Sequence, residues 1–430
     1  MSRLILILFL VWGLPVVAWA DSSPLRVSLE EAIAGALSHH PTARAAAATE
    51  AKARARLESV RAASLPTLTT TLIHVREDSH ILSPSGVHAA LAATRVDLSL
   101  GVPLVAPRAW ASWLEAHEDV AIGVADAQAE RRRVALGAAR AWAGVATATH
   151  VVAARQEALE HARAHLEFVR GRQSAGAATL LDVVRAEREV ASATALLEDS
   201  ASHRERAGEA LGVWLAVDQS VDVSLESESA LMSAAGQTGG DEELPELRAA
   251  AHAKAAAQRA LDDSFTDFLP TLRLDAFGFF QDQPTPPLPV TGIGYVAQLT
   301  LSMAIYDGGA RYAAMRVRRA DKLRTAAHFE ELHRALTSEQ RTLSRDREHA
   351  SLALSEIRRS AELARSALLL TKQRFSSGVG SGLDVIDALR QSRDADIAVA
   401  QAQETLRLVC IELLFVRGLL PSPSLLRSNH

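Results

Sequence analysis

Several things are scarce in this chain. A single cysteine, Cys410, in 430 residues excludes an intrachain disulfide framework. Aromatic residues make up only 4%, too few for a broad globular core. After the first twenty residues no stretch reaches the roughly 18 to 20 continuous apolar residues of a membrane-spanning helix. Entry into a bilayer would therefore require strands in a closed barrel. Charge of one sign is also lacking. The formal net charge of −5 gives no support to nucleic-acid binding, which needs a basic patch. Nucleophile elbows, phosphate loops and paired acid/base carboxylates suited to catalysis are missing, so neither enzymatic activity nor a cofactor is expected.

The N-terminus states a compartment. Arg3 precedes an apolar run from Leu4 to Val17, and Ala18-Trp19-Ala20 forms a cleavage pattern before Asp21. That is a secretory signal peptide over 1–20. Cys410 lies far from the cleavage site, so the exported chain is expected to carry no lipid anchor. Hydrophobic residues reach 48%, much of it alanine, and alanine-rich, charge-studded sequence favours long helices packed closely.

The mature chain reads as a duplication. Arg172, Gly176 and Asp182 recur 202 residues later as Arg374, Gly378 and Asp384. Each glycine suits the left-handed end of a long helix, and Ser381 with Asp384 forms a capping pair that starts the next helix. Leu65-Pro66-Thr67-Leu68 returns as Leu269-Pro270-Thr271-Leu272. Between these markers each half carries two alternating segments and a long rod. Val96, Leu98, Leu100, Val102 and Leu104 alternate with Arg95, Asp97, Ser99, Gly101 and Pro103, the period and length of an outer-membrane barrel strand. Strands are expected over about 67–75, 94–104, 271–280 and 293–305. From Trp110 to Arg172 there is no proline, and Val145, Val152, Leu159 and Leu166 fall seven apart. Arg155 is the charged exception on that seam; Arg347 plays the same part on the second rod. The first repeat spans 21–217, an acidic surface connection 218–246, the second repeat 247–418 and a short loose tail 419–430.

In this order the parts resemble the TolC-like outer-membrane efflux family over essentially the whole mature chain. Leu29-Glu30-Glu31-Ala32, the two Leu-Pro-Thr-Leu segments, Tyr306-Asp307-Gly308-Gly309 and the Gly-x5-Asp-Val of both hairpins carry the resemblance. It implies a mainly helical fold with a small β part. Duplicated helical hairpins form an α-barrel, and four strands per chain contribute to one trimeric transmembrane β-barrel. It further implies a homotrimer in outer-membrane lipid that reaches through the periplasm to an adaptor protein and an inner-membrane transporter. Asp384 and Asp387 match a pair of periplasmic gate aspartates, and Phe375 stands beside them where a tyrosine can occur. Gly380 stands where an arginine can occur, so locks through those two side chains are not expected here. Gly176, Ala177, Gly378 and Val379 match adaptor-contacting hairpin tips.

The residues support that picture on their own terms. Four strands cannot close a barrel, whereas several chains together can. Arg95, Asp97, Arg273 and Asp275 fit a water-filled lumen and would be costly against lipid. Asp384 is also explained as a cap, as is Asp182. Asp387 has no such duty, and its counterpart in the first repeat is Arg185, so one hairpin is expected to line the pore and the other to face outward. His161 and His165 have i, i+4 spacing, but a solvated helix face explains them better than a metal site, and His39-His40 ends a helix. Phe277, Phe279, Phe280, Tyr295 and Tyr306 are candidates for interfacial girdles. Two readings of different class follow: an exit duct for a tripartite efflux or type I secretion system, and a soluble periplasmic coiled-coil scaffold. Only the duct needs four alternating strands.

Overall fold

The computed structural model describes residues 25–77, 91–224, 244–282 and 292–420. The expected signal peptide, most of the first strand-connecting loop, most of the acidic connection and the tail beyond 420 lie outside them.

Two repeats of the same plan follow each other. The first contains β1 (Leu25–Val27), α1 (Leu29–His39), α2 (Pro41–Ala62), β2 (Thr67–Glu77), β3 (Leu91–Val105), α3 (Pro107–Ser174) and α4 (Leu180–Leu215). Then β4 (Val221–Val223) leads to the second, with α5 (Pro245–Asp262), β5 (Thr271–Gln281), β6 (Gly292–Ser302), α6 (Ala310–Ser376) and α7 (Gly382–Val416). Ser28 and Glu31 close α1 with a reciprocal capping box, and His40 ends α1 while capping α2. The rods α3 and α6 have 68 and 67 residues, each about 100 Å long at 1.5 Å per residue. The heptad seam is the buried one: Val145, Leu159, Leu166 and Val169 on α3, and Leu343, Leu354, Ala361 and Leu368 on α6.

β2, β3, β5 and β6 form one antiparallel sheet in that order. Its register collects side chains by kind. Leu72, Val96, Phe280 and Ile293 lie in one row across the four strands; Leu68, Leu100, Ala276 and Ala297 lie in another. The opposite face carries Thr71, Asp97 and Phe279, then Thr67, Gly101, Asp275 and Gln298. Because a strand alternates faces with period two, this register puts Leu68, Leu72, Leu98, Leu100, Leu272, Leu274, Leu299 and Leu301 on one surface. That surface is bare: Leu72 is 70% exposed and Tyr295 86%. The outer strands β2 and β6 have no partner on their outer sides among the described residues.

The two repeats join in a core at mid-length of the rods. Trp142, Leu29, Leu211, Ile411 and Leu414 are fully or nearly fully buried there, and the Trp142 indole N–H donates to the Val27 carbonyl at 3.3 Å. β1 pairs in parallel with β4, so Val221 and Val223 are buried. The acidic connection therefore begins as a core strand rather than a surface loop. The tail also starts inside the fold: Gly418 takes the left-handed conformation, and Leu420 is buried. Arg132 crosses this core, donating to the carbonyls of Leu420 and Phe415 and pairing with Glu246 at 2.6 Å. Burial pushes the Cys410 thiol up to about 11, which leaves it an inert packing residue.

Trp142→Ala opens a large cavity where the repeats meet and should cost about 3 to 5 kcal/mol. Thermal unfolding of the detergent-solubilised protein would show it as a markedly lower midpoint than wild type.

Candidate functional site at the hairpin tips

The two hairpins turn in the same way because the same residues recur. α3 stops at Gly176, with φ +75°, and Ala177 N–H reaches back to the Arg172 carbonyl at 2.8 Å. α6 stops at Gly378, with φ +84°, and Val379 N–H reaches the Arg374 carbonyl at 3.1 Å. A Cβ at either glycine would meet no neighbouring atom, so the positive φ alone favours glycine there. Thr179 and Asp182 then cap α4, and Ser381 and Asp384 cap α7, each as a full capping box. Hydrogen bonds from Thr179 hold the Asp182 carboxyl below the usual carboxylate range. Gly176, Ala177, Gly378 and Val379 are all exposed at the turns.

The tips are fastened to each other by one cation. Arg172, at the end of α3, donates to the Phe375 carbonyl at the end of α6 at 2.6 Å. Its guanidinium also lies 4.8 Å from the centre of the Phe375 ring. The last carbonyls of a helix carry partial negative charge and lack intrahelical donors, so a guanidinium fits there. Phe375 is buried between the hairpins among Leu166, Val169, Val183 and Val385, with Phe168 and His165 at ring separations of 5.6 and 5.7 Å. It is thus a packing residue of the joint between hairpins.

Two turns above, α4 and α7 are tied together again. Glu189, only 4% exposed, accepts from Arg390 Nε at 2.9 Å and Nη2 at 2.5 Å, with Arg393 at 3.7 Å. Asp384 bonds the Ser381 N–H at 3.1 Å, while Asp387 is exposed one turn further along α7 and adds to the field that stabilises charged Arg390. Arg155 is half-buried, and burial first, then the nearby charge of Arg393, pulls its pKa down.

At the other end of the rods, the polar face of the sheet carries Arg95 with Asp97 and, further along the strands, Arg273 with Asp275. Arg95 pairs with Asp97 at 2.7 Å and Arg273 with Asp275 at 2.6 Å, each two residues apart on its own strand. Arg273 lies across Gly101, and the Phe279 ring covers Gly294.

Two expectations about side chains need correction. Phe277 and Phe279 lie on the polar face, beside the arginines and aspartates, and not in an outward girdle; Phe280 and Tyr295 do face outward. The strict alternation of β5 decides this, since 273, 275, 277 and 279 share one side. His165 is 7% exposed and not on a solvated face, because α6 and α7 cover that side of α3. A rod's own periodicity cannot say which face a distant hairpin will cover. Among the described residues no group of three histidine, cysteine or acidic side chains is placed to hold a metal ion. Sequence reasoning missed the Arg172–Phe375 and Glu189–Arg390 joints. The recurrence of Arg172 as Arg374 was visible, but its partner is 203 residues away.

A family model described as "Outer membrane efflux protein" matches residues 32–215 and 242–415, one match per repeat. No curated relative matches by sequence. Among solved structures the chain is similar to the outer membrane protein VceC of Vibrio cholerae, with TM-score 0.72 and 17% identity, covering 91% of this chain and 96% of that one. It is similar to the Campylobacter jejuni CmeC outer membrane channel, at 0.74 and 15%, over 95% and 92%. The open state of the Neisseria gonorrhoeae MtrE outer membrane channel gives 0.71 and 20%, over 93% of each. These structural likenesses establish a shared fold, and the family match sets the soluble-scaffold reading aside. Its two repeats, its rods and its outward-apolar sheet together make this chain a member of the outer membrane efflux protein family, an exit duct in the outer membrane.

Proposed function

We propose that three copies of this chain form the duct, with the polar face of each sheet lining one twelve-stranded barrel and the rods enclosing a periplasmic passage. The observation that carries this is the sheet: a mainly apolar face, with Thr70, His74 and Thr94 as its polar members, on four strands whose two edges have no partner among the described residues. In lipid every backbone N–H and C=O needs a partner, so those edges must be met by other copies. The rods support the same assembly. α3 packs against α1, α2, α4, α5 and α7, whereas α6 packs chiefly against α5 and α7 and leaves Leu352, Leu363 and Leu370 bare. α4 likewise leaves Leu180, Leu181 and Val184 bare. Apolar rows of this kind on two helices of one chain suit contact between neighbouring subunits.

The duct is passive and opens at its periplasmic end. Asp384 and Asp387 from three copies put six carboxylates around one axis, a ring that favours cations. The Arg172–Phe375 joint holds the second hairpin against the first and so sets the aperture. The exposed tips at Gly176, Ala177, Gly378 and Val379 are where a periplasmic adaptor engages, bringing an inner-membrane transporter with it. Arg95, Asp97, Arg273 and Asp275 line the barrel.

Fractionation should recover the chain in the outer membrane as a trimer that falls to monomer on boiling; a soluble periplasmic monomer would overturn the assembly. Leu299→Arg, at the middle of the apolar face of β6, should cost about 2 to 4 kcal/mol and abolish insertion. Arg172→Ala removes a charge-assisted hydrogen bond and a cation–π contact, together about 2 to 4 kcal/mol. In planar bilayers its trimer should conduct more than wild type, and Asp387→Asn should reduce cation over anion selectivity.

A further inference from the structure

Between α3 and the second hairpin, directly behind Phe375, lies a cavity of about 340 Å³. Phe168, Leu369 and Val385 line it together with His161, His165 and Lys372. His165 is the buried one of the two histidines, and its ring lies 5.7 Å from that of Phe375. Lys372 reaches the same cavity from α6 with no hydrogen bond or ion pair among the described residues. The residue that holds the hairpins together is therefore backed by an imidazole and an unpaired ammonium in a half-dry space.

We propose that His165 is a proton-sensitive latch: when its imidazole takes up a proton, beside Lys372 and against Phe375, the second hairpin leaves the first and the periplasmic mouth opens. The proposal rests on the duct reading given above. With the hairpins packed together a second cation in this cavity has little to stabilise it. α6 presents Lys372, a like charge. α4 presents Glu189, but that carboxylate is already clamped by Arg390 and Arg393. α7 presents the apolar Val385 here; in the adjoining part of the groove lie Arg393, and Asp396 already paired with Arg365 of α6 at 2.7 Å. On α3 itself the neighbour one turn back is His161, which leans on Glu157 at 3.7 Å.

The sign follows from burial. With the hairpins packed together, desolvation first, and then Lys372, hold the His165 imidazole below its ordinary 6.5, with Glu189 opposing. Water reaching the site in the open state returns it towards that value. The open form then binds the proton more tightly, so acid favours opening. The bias begins near pH 6.5 and grows by about tenfold per pH unit and per subunit until the closed-state pKa is passed.

The test is the open probability of the full-length trimer in planar bilayers at pH 7.5 and pH 5.5. Wild type should rise, by at most about tenfold per subunit, and His165→Gln should stay flat. His161→Gln should keep the rise. Lys372→Met should shrink it, because the like charge is gone, and Lys372→Arg should keep it; a purely structural role for His165 would not respond to the charge at 372. Should His165→Gln fail to assemble, the Lys372 pair carries the test alone. A trimer that conducts at pH 7.5 but shows no rise on acidification, or a His165→Gln trimer with the wild-type rise, overturns the latch and leaves the duct standing. A chain that conducts at neither pH, as wild type and as Arg172→Ala, overturns the duct and the latch with it.

Discussion

Backbone hydrogen bonding at the rim of the sheet is the constraint on which the rest of this molecule depends. β2 and β6 each present a row of N–H and C=O groups to nothing among the described residues. In water such an edge is an aggregation hazard; within a bilayer it is untenable, because no solvent can take the unmet bonds. The cross-strand register makes the second demand, since it brings the leucines of all four strands to one side. Neither demand can be met by folding alone. Closure against copies meets the first, and lipid around the closed wall meets the second.

The helices answer a different problem, how to hold a long hollow wall without a central core. A rod of about 100 Å cannot be stabilised by one cluster at its middle. Apolar packing is concentrated at two heights, around Trp142 and around Phe375. Between them the wall relies on alanine-lined seams that let helices approach closely and on ion pairs such as Glu189–Arg390. Where the rods meet the sheet, Asp267 is shared between Arg318 at 2.6 Å and Arg108 at 3.5 Å, which ties the base of α6 to that of α3. Each tie crosses from one repeat to the other. The chain is thus strong across its internal joint and bare on its outer faces, the distribution expected of a subunit.

How much of this the sequence carried follows from what is local and what is not. Alternation in 95–104 and 271–277, the seven-residue spacing from Val145 to Leu166, and the glycine turns at 176 and 378 are local signals, and each gave an element within a few residues of its observed bounds. Val221–Val223 was hidden because three residues are too few to show a period, and their strand exists only through pairing with Leu25–Val27. His165 was misplaced for the same reason on a larger scale, since a second hairpin decides which side of α3 is dry. At the tips the caps at Asp182 and Asp384 were legible, being bonds between residues three apart. The Arg172–Phe375 joint was not, because nothing near either residue in the chain refers to the other.

Duplication makes that joint informative in a further way. Six hairpins around a trimer alternate between the two kinds, so contacts of the first on the second occur within a chain and contacts of the second on the first occur between chains. The equivalent of Arg172 is Arg374, and the carbonyl corresponding to Phe375 belongs to Gln173. The within-chain contact has an aromatic ring beneath the guanidinium; the between-chain one would have a glutamine. One turn beyond each tip, Asp387 of the second hairpin stands where the first has Arg185. The two repeats have kept a common backbone while diverging in side chains at the mouth. Within the chain, the joint of the first hairpin on the second is thereby the one that carries an aromatic seal.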